Sequence, residues 1–243
     1  MKLSIVIPAY NEEKNIDDCL KCVMREIQGS HDIEVIVVNN ASTDSTGERV
    51  LAHPGVILVT EPQKGIVHAR AAGYAKSKGE LIANIDADSR MPQGWIQQVR
   101  HAFWDESLMA LSGPYIYYDA PLYIRFFTRI FYIFGYMING FNWYLFGKAS
   151  MLQGGNYVLR RSALEQIGGY DTSIAFYGED SDIGRRVSEI GKVRWTFSFP
   201  MNTSGRRLMK EGLIKTGWTY ALNYFSITFR KKPATQTYTD VRL

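Results

Sequence analysis

The chain has 243 residues, of which 46% are hydrophobic and 21% charged, and its formal net charge is +4. This composition is typical of a globular protein and excludes disordered and fibrous classes. The length is enough for one large core and lies near the upper limit for a single domain. The mild charge, together with a sequence that has no helix-turn-helix or zinc-finger pattern, argues against a nucleic-acid-binding protein.

The two cysteines form a lone Cys-x-x-Cys, Cys19 and Cys22. A structural zinc site needs four ligands, so we interpret them as two small residues on one helix face, with a redox pair as the alternative. The N-terminus enters a strand without a basic and apolar leader. We therefore expect no signal peptide and a cytoplasmic location.

Hydrophobic patterning in the first 90 residues predicts strands alternating with helices. The predicted strands cover residues 2–8, 33–38, 56–59 and 81–85. Three helices are predicted between them: the first covers residues 10–27, the second begins at residue 45, and the third covers residues 65–78. Ser45 and Glu48 are predicted to form a capping box for the second helix. This alternation is typical of βαβ units, so we predict an α/β fold with a mostly parallel sheet flanked by helices.

The second half is less regular. We predict helices over 94–105 and 179–191, strands over 109–112 and 157–159, and a capping box of Ser162 and Glu165. The expected organisation is one domain over 1–205, in two halves (1–90 and 91–205). A basic C-terminal helix and tail (206–243) completes the chain.

An aromatic helical segment is predicted over residues 121–147. Residues 130–147 carry no charge, and their number reaches the lower threshold for a transmembrane helix. Two asparagines and three glycines weaken that interpretation, and a span would separate the two acidic motifs by a membrane. We predict a helix that packs on the domain as an aromatic core or lies in the interface of an anionic bilayer.

Polar residues follow the predicted strands. Asp86 and Asp88 come after the strand over 81–85, and the ends of parallel strands meet at one edge of a sheet, where open α/β sheets bind ligands. Two carboxylates so close repel each other unless a cation lies between them, and hard oxygen ligands suit Mg²⁺ or Mn²⁺. The alternative is that both aspartates are ordinary turn residues. Further polar residues at this edge are Tyr10, Asn11, Glu12, Asn39 and Lys64.

A second acidic motif begins the helix predicted over 179–191. Glu179 and Asp180 follow Gly178, and the N-terminal end of a helix favours carboxylates. Simple helix capping therefore explains this motif as well as a catalytic role does.

Five motifs occur in order along the chain. They are Pro8-Ala9-Tyr10-Asn11-Glu12, the segment 37–44, Lys64-Gly65 with Ala69-Arg70, Asp86-Ala87-Asp88 and Gly178-Glu179-Asp180. Together they resemble family 2 of the inverting glycosyltransferases, which have the GT-A fold. The resemblance covers approximately residues 1–200, and five ordered motifs are far more specific than any one of them.

The resemblance implies that residues 1–90 are a nucleotide-binding half and residues 91–205 an acceptor and catalytic half, and it implies roles for individual residues. The segment from Pro8 to Glu12, including Tyr10 and Asn11, would line the nucleotide pocket, and Asn39 stands where the family usually has an aspartate that reads the base. Lys64 and Arg70 would help to bind the nucleotide side of the donor. Asp86 would lie near the ribose and the metal, and Asp88 would ligate the metal. Asp180 would be the catalytic base; further candidates at the acceptor or diphosphate are Glu179, Gly155, Asn156, Arg206, Arg207 and Lys210.

The predicted function is transfer of a sugar from a nucleoside-diphosphate sugar to an acceptor hydroxyl on a glycan or a lipid-linked molecule, with Mn²⁺ or Mg²⁺ as cofactor. Asn39 carries no charge to pair with the donor groups of guanine, so we predict a UDP or dTDP donor. The alternatives are a non-catalytic nucleotide-sugar sensor or membrane-docked scaffold, and a sugar nucleotidyltransferase. The last would need a basic, glycine-rich loop after the first strand, where this chain has Tyr10-Asn11-Glu12.

Overall fold

The computed structural model describes residues 1–147, 151–235 and 237–242. The strands are β1 (Leu3–Ala9), β2 (Ile33–Asn40), β3 (Val56–Glu61), β4 (Leu81–Ile85), β5 (Leu108–Ser112), β6 (Tyr115–Tyr117), β7 (Asn156–Arg160), β8 (Lys192–Trp195) and β9 (Met201–Thr203). The helices are α1 (Ile16–Glu26), α2 (Thr46–Leu51), α3 (Ile66–Lys76), α4 (Trp95–Ala102), α5 (Leu122–Phe146), α6 (Arg161–Gln166), α7 (Glu179–Ser188), α8 (Arg206–Glu211) and α9 (Leu213–Arg230).

Seven strands form one mostly parallel sheet in the order β3-β2-β1-β4-β7-β5-β8. β7 is antiparallel to both β4 and β5, while the remaining pairs run parallel. β6 and β9 form a separate parallel pair. The predicted α/β architecture with a helical C-terminal part is confirmed, and β4 has the predicted bounds.

The core lies on both faces of the central strands. Every residue of β1 is buried, as expected for a continuous apolar run between two helical layers. On one face, α1 and α4 pack against the sheet through Leu20, Val23 and Trp95. On the other, α3 packs so closely that a side chain at Gly73 would overlap Val6. This sheet fixes the positions of the loops that follow β1, β2 and β4.

Three local predictions are wrong. The first helix begins at Ile16 rather than at residue 10, because Asn11 adopts a positive φ of 50° in a loop. Ser45 precedes α2 but makes no capping hydrogen bond; Asp44 accepts one from the Thr46 amide at 3.0 Å instead. Ser162 lies inside α6, so the second predicted capping box is absent too.

The aromatic segment forms α5, a helix of 25 residues. Its buried side chains are few, namely Ile124, Thr128, Tyr132 and Asn142. Most of its large apolar side chains are exposed, Tyr144 by 80%, so an internal aromatic core does not account for the segment. Within the described residues, each helix is too short or too polar to cross a bilayer.

The C-terminal part folds back onto the domain. α9 runs beside α5, where the Tyr224 hydroxyl accepts a hydrogen bond from Asn142 Nδ2 at 3.2 Å. After α9, Asn223 Oδ1 accepts hydrogen bonds from the amides of Ala234 and Thr235 at 2.9 and 3.1 Å. The segment 237–242 then reaches the loop that follows β1. The predicted boundary at residue 205 stays a prediction.

Candidate active site

Asp86 lies in the loop that follows β4, where Tyr115 and Gly155 surround it. The Tyr115 hydroxyl donates a hydrogen bond to Asp86 Oδ2 at 2.7 Å and accepts one from the Gly155 amide at 2.5 Å. A Cβ atom at Gly155 would lie 2.2 Å from the Asp86 carboxyl carbon, a distance that non-bonded atoms cannot adopt. Residue 155 must therefore be glycine for the backbone to approach this carboxylate.

Asp88 is 8% exposed and lies between a hydroxyl and a guanidinium. Its Oδ1 accepts a hydrogen bond from Thr203 Oγ1 at 3.2 Å, and its Oδ2 lies 2.8 Å from Arg206 Nη2. Burial raises the pKa of Asp88 to about 7; the carboxylates of Glu12 and Asp86 add to this effect, and the positive charge of Arg206 opposes it. The ionised form of this carboxylate therefore needs more positive charge than the side chains supply.

Arg70 projects from α3 into the interior and links three parts of the site. It is 2% exposed, donates a hydrogen bond to the carbonyl of Gly154 at 2.6 Å, and lies 3.7 Å from Asp86. It also makes a direct ion pair with Glu179. Although burial lowers the pKa of Arg70, the neighbouring carboxylates raise it well above its usual value. The guanidinium is therefore a fixed positive charge behind both acidic motifs.

Asp180 lies in the first turn of α7, after Gly178 in the left-handed conformation (φ 86°). Its Oδ1 accepts a hydrogen bond from the amide of Ser181 at 2.7 Å. Burial raises the pKa of Asp180 above its ordinary value, despite this hydrogen bond and the charge of Arg70. A carboxylate with a raised pKa is a stronger base than a solvated aspartate.

Glu12 follows β1 and binds two arginines from the C-terminal part. Arg206 makes a direct ion pair with its carboxylate, and Arg242 Nε lies 2.9 Å from Oε1. The Glu12 amide donates a hydrogen bond to Thr46 Oγ1 at 2.8 Å, which fixes the loop. Glu12 is thus an anchor for cationic side chains, with its own carboxylate 2% exposed.

Tyr10 and Lys64 lie beside one another at the expected nucleotide pocket. The Lys64 ammonium is 3.8 Å from the centre of the Tyr10 ring. The segment 237–242 covers this region: Asp240 pairs with Lys64, and the Tyr238 ring stacks on Phe176 with 4.5 Å between centroids. A small pocket contains Tyr10, Lys64, Phe176 and Tyr238 together.

Two of the predicted site residues, Asn11 and Asn156, have hydrogen-bond partners, and Asn39 differs from them. Asn11 Oδ1 accepts a hydrogen bond from the Thr43 amide at 2.9 Å and fixes the loop after β2. Asn156 is fully buried, with Nδ2 donating to the Phe199 carbonyl at 2.8 Å and Oδ1 accepting from Trp95 at 3.1 Å. Asn39 ends β2, and its Oδ1 is buried with no hydrogen-bond partner among the described residues.

One cavity of about 680 Å³ brings most of the predicted residues together. Its lining includes Pro8, Glu12, Arg70, Asp86, Asp88, Glu179, Asp180, Arg206 and Arg207. Outside its lining lie Asn11, Asn39, Gly155, Asn156 and Lys210, while Tyr10 and Lys64 line the adjacent small pocket. Lys210 instead donates a hydrogen bond to the Asp240 carbonyl at 3.5 Å.

Sequence reasoning missed three residues of the site: Tyr115, Thr203 and Arg242. Tyr115 and Thr203 lie on β6 and β9, strands of three residues that give no periodic signal. Arg242 belongs to the basic C-terminal helix and tail, in which the sequence alone does not distinguish it from the other cations. Each contacts a predicted site residue through a long-range contact, which chain spacing does not reveal.

Comparison with known proteins identifies the family of the chain. The sequence profile of Glycosyl transferase family 2 matches residues 4–168. The chain belongs to this family. It is 31% identical over 201 residues to a probable glycosyltransferase, YdaM of Bacillus subtilis, covering 78% of this chain and 47% of YdaM. It is 28% identical over 120 residues to the dolichol-phosphate mannosyltransferase of Pyrococcus furiosus, covering 48% and 34% of the two chains.

Solved structures confirm the GT-A fold. The mannosyltransferase PcManGT of Pyrobaculum calidifontis, in complex with GDP-Man and Mn²⁺, superposes with a TM-score of 0.72 at 21% identity, over 95% of this chain and 63% of that one. Glucosyl-3-phosphoglycerate synthase of Mycobacterium tuberculosis was solved in complex with Mn²⁺, UDP-glucose and phosphoglyceric acid. It superposes with a TM-score of 0.64 at 17% identity, over 95% of this chain and 79% of that one. The chain spans about half the length of YdaM and a third of the Pyrococcus enzyme.

Proposed function

We propose that this chain is a metal-dependent, inverting glycosyltransferase that moves a sugar from a nucleoside-diphosphate sugar to an acceptor hydroxyl on a glycan or a lipid-linked molecule. The observation that carries the proposal is the single cavity lined by Asp86, Asp88, Arg206 and Asp180. These residues come from separate parts of the chain. They supply the three functions that the reaction needs: a cation site, positive charge for a diphosphate, and a base.

The residues fit a divalent ion such as Mn²⁺ or Mg²⁺, which Asp88 and Asp86 would hold. Both carboxylates line the cavity, and a cation there would offset the burial of Asp88 and the repulsion from Glu12 and Asp86, which together raise its pKa. The described residues contain no cluster of three or more ligating side chains, in keeping with an ion held by one or two carboxylates and the donor's phosphates. When bound, such an ion stabilises the negative charge of the leaving diphosphate. PcManGT and the Mycobacterium enzyme were both solved with Mn²⁺.

Cationic side chains complete the diphosphate side of the site. Arg206 lines the cavity and already pairs with Asp88 and Glu12, so it is positioned before a donor binds. Arg207 lines the same cavity, 4.8 Å from the Phe176 ring centre. Arg70 adds a buried positive charge behind Asp86. We assign the diphosphate to Arg206 first, with Arg207 and Lys210 as further candidates.

Asp180 acts as the general base in this proposal. An acceptor hydroxyl must lose its proton on the side of the sugar opposite the diphosphate, and Asp86 and Asp88 are on the metal side. Burial raises the pKa of Asp180, which makes its carboxylate a stronger base than a solvated aspartate. Direct displacement by the deprotonated hydroxyl inverts the anomeric centre.

For the donor we propose a uridine or thymidine diphosphate sugar. Asn39 offers an uncharged amide whose Oδ1 has no partner among the described residues, and the donor groups of guanine are better satisfied by a carboxylate. Solved neighbours bind either kind of donor, GDP-Man in one case and UDP-glucose in the other. A clear preference for GDP-sugars in a competition titration would contradict this assignment.

A peripheral position at the cytoplasmic face of a membrane is also proposed. α5 and α9 together expose a large aromatic and aliphatic surface, and Arg129, Lys215 and Arg230 are exposed beside it. Such a mixture suits an anionic bilayer interface. Co-sedimentation with vesicles of anionic phospholipid at low salt tests it, and unbound protein in the supernatant would contradict it.

The test of the central proposal is a panel of nucleoside-diphosphate sugars in a thermal-shift assay with and without Mn²⁺. One donor at about 100 times its Kd should stabilise the protein by about 2.7 kcal/mol, and only with the metal present. Release of nucleoside diphosphate from that donor then separates an enzyme from a non-catalytic sensor. Turnover of a nucleoside triphosphate and a sugar phosphate would instead support a sugar nucleotidyltransferase.

A further inference from the structure

The cavity that contains the catalytic carboxylates extends well beyond them. Its inner end is polar and charged, with Asp86, Asp88 and Asp180 in its lining. Its outer part lies against α5 and α9, and the side chains there are mostly apolar. Examples are Phe131, Phe134 and Ile138 on α5 and Ile214, Trp218 and Ala221 on α9.

The two helices are held side by side, so the apolar part is a groove with defined walls. Phe131 on α5 lies opposite Gly217 on α9, because a Cβ atom at Gly217 would be 3.8 Å from the Phe131 ring. Tyr224 bonds to Asn142, and farther along the rings of Phe146 and Phe229 pack edge to face at 5.7 Å. The pairing is through side chains near the C-terminal ends of both helices. Gly217 lines the cavity without a side chain, and a larger residue there would enter it.

We propose that this α5–α9 groove holds the hydrocarbon chain of an amphiphilic acceptor, whose hydroxylated head group reaches Asp180. This inference rests on the proposed function, which it refines by choosing a lipid-linked acceptor over a soluble glycan. A glycan would need hydrogen-bonding groups along its length, and the groove walls offer mainly aliphatic and aromatic surface. Polar groups on these walls, such as Tyr224, are already bonded between the helices.

Continuity between the groove and the carboxylates determines the chemistry of the occupant. A molecule with its nucleophilic oxygen at Asp180 and its remainder in the same cavity has one polar end and one apolar end. The volume of about 680 Å³ lies within the range of about 300–1,000 Å³ usual for small-molecule sites. The exposed apolar side chains outside the groove, including Phe141 and Phe229, suit the bilayer in which such a lipid resides.

Calorimetric titration with alkyl glucosides of increasing chain length, below their micelle-forming concentrations, tests the groove directly. Each buried methylene should tighten Kd by up to about fourfold, from about 0.8 kcal/mol per buried group, until the groove is filled. Gly217→Leu should flatten this dependence on chain length, because the added side chain enters the groove. Ala221→Leu, one turn farther along α9, is a second variant for the same purpose.

Gly140→Leu is the matched control. Gly140 lies on α5 outside the cavity lining, and a Cβ atom there would meet nothing within 4 Å. This variant should keep the parental dependence on chain length. Equal dependence in all four proteins would mean that the alkyl chains bind the exposed faces, which would overturn the proposal. A parent protein whose Kd does not depend on alkyl chain length would overturn the proposal too. This outcome includes the case in which a second copy of the chain covers the groove, which sedimentation would show.

Binding of UDP and GDP with Mn²⁺ is measured on the same samples, so that the two proposals fail separately. Nucleotide binding without any effect of chain length overturns only the groove. A chain-length effect without nucleotide binding overturns the proposed function and leaves an apolar binding site.

Discussion

The carboxylate of Asp240 lies 3.2 Å from the ammonium of Lys64, although 176 residues separate them in the chain. Lys64 is one of the residues expected to bind the nucleotide side of the donor. Arg242, two residues farther, pairs with Glu12 beside the same loop. A phosphate or a base that approaches Lys64 therefore competes with the carboxylate of the C-terminal segment.

Replacing Asp240 with Asn should increase the affinity for the nucleoside diphosphate. The Lys64 side chain is 45% exposed, and exposed ion pairs contribute only about 0–1 kcal/mol, so the gain should be at most about fivefold. Competition titration measures it. Asp18→Asn is the matched control, because it removes the same charge from an exposed pair with Arg90. Equal affinities in the parent and Asp240→Asn would mean that the segment does not compete with the donor.

The sequence predicts the edge of the sheet at which the candidate site lies, but not the contacts around it. Asp86 and Asp88 follow a strand whose apolar run is unmistakable, and parallel strands bring their ends together. Tyr115 and Thr203, which bind these aspartates, come from three-residue strands whose pairing depends on tertiary packing. Asn156 is one of the further candidates at the acceptor or diphosphate, but its side-chain amide binds Trp95 and the Phe199 carbonyl instead.

Asp88→Ala should abolish metal-dependent donor binding and leave the fold intact. Arg206 keeps its ion pair with Glu12 in this variant, so the loop between β9 and α8 retains a partner. The measurement is donor binding with and without Mn²⁺ in parallel with the melting temperature. Thr203→Val is the control, since it removes only the hydrogen bond to Asp88 and should weaken binding modestly. A variant Asp88→Ala that binds donor and Mn²⁺ like the parent would show that the metal assignment is wrong.

Two variants, Asp180→Asn and Glu179→Gln, should distinguish the catalytic role proposed for Asp180 from the structural role of Glu179 as the partner of Arg70. Asp180→Asn keeps the shape of the side chain but cannot accept a proton, so turnover should fall by roughly 10²–10⁴-fold with donor affinity nearly unchanged. Glu179→Gln should retain more activity but unfold at a lower temperature, because the buried Arg70 loses the charge of its partner. Near-parental kcat in Asp180→Asn, or equal loss of donor binding and rate, would exclude Asp180 as the base.

The pH dependence gives an independent test of Asp180. Because burial raises its pKa, the acid limb of the kcat/KM profile should lie above the usual range of aspartate, with activity lost as the pH falls through the pKa.

The contribution of Asp180 to the free energy of unfolding should change with pH in the opposite direction to activity. A raised pKa means that the folded state favours the protonated carboxyl, so this contribution to folding is fully present below the ordinary pKa and is lost as the pH rises. Asp180→Asn, which stays neutral, should therefore melt at a higher temperature than the parent at pH 8, and the difference should shrink toward pH 4. Melting curves of both proteins across this range test it, and a constant difference would mean that the carboxylate is not destabilised by burial.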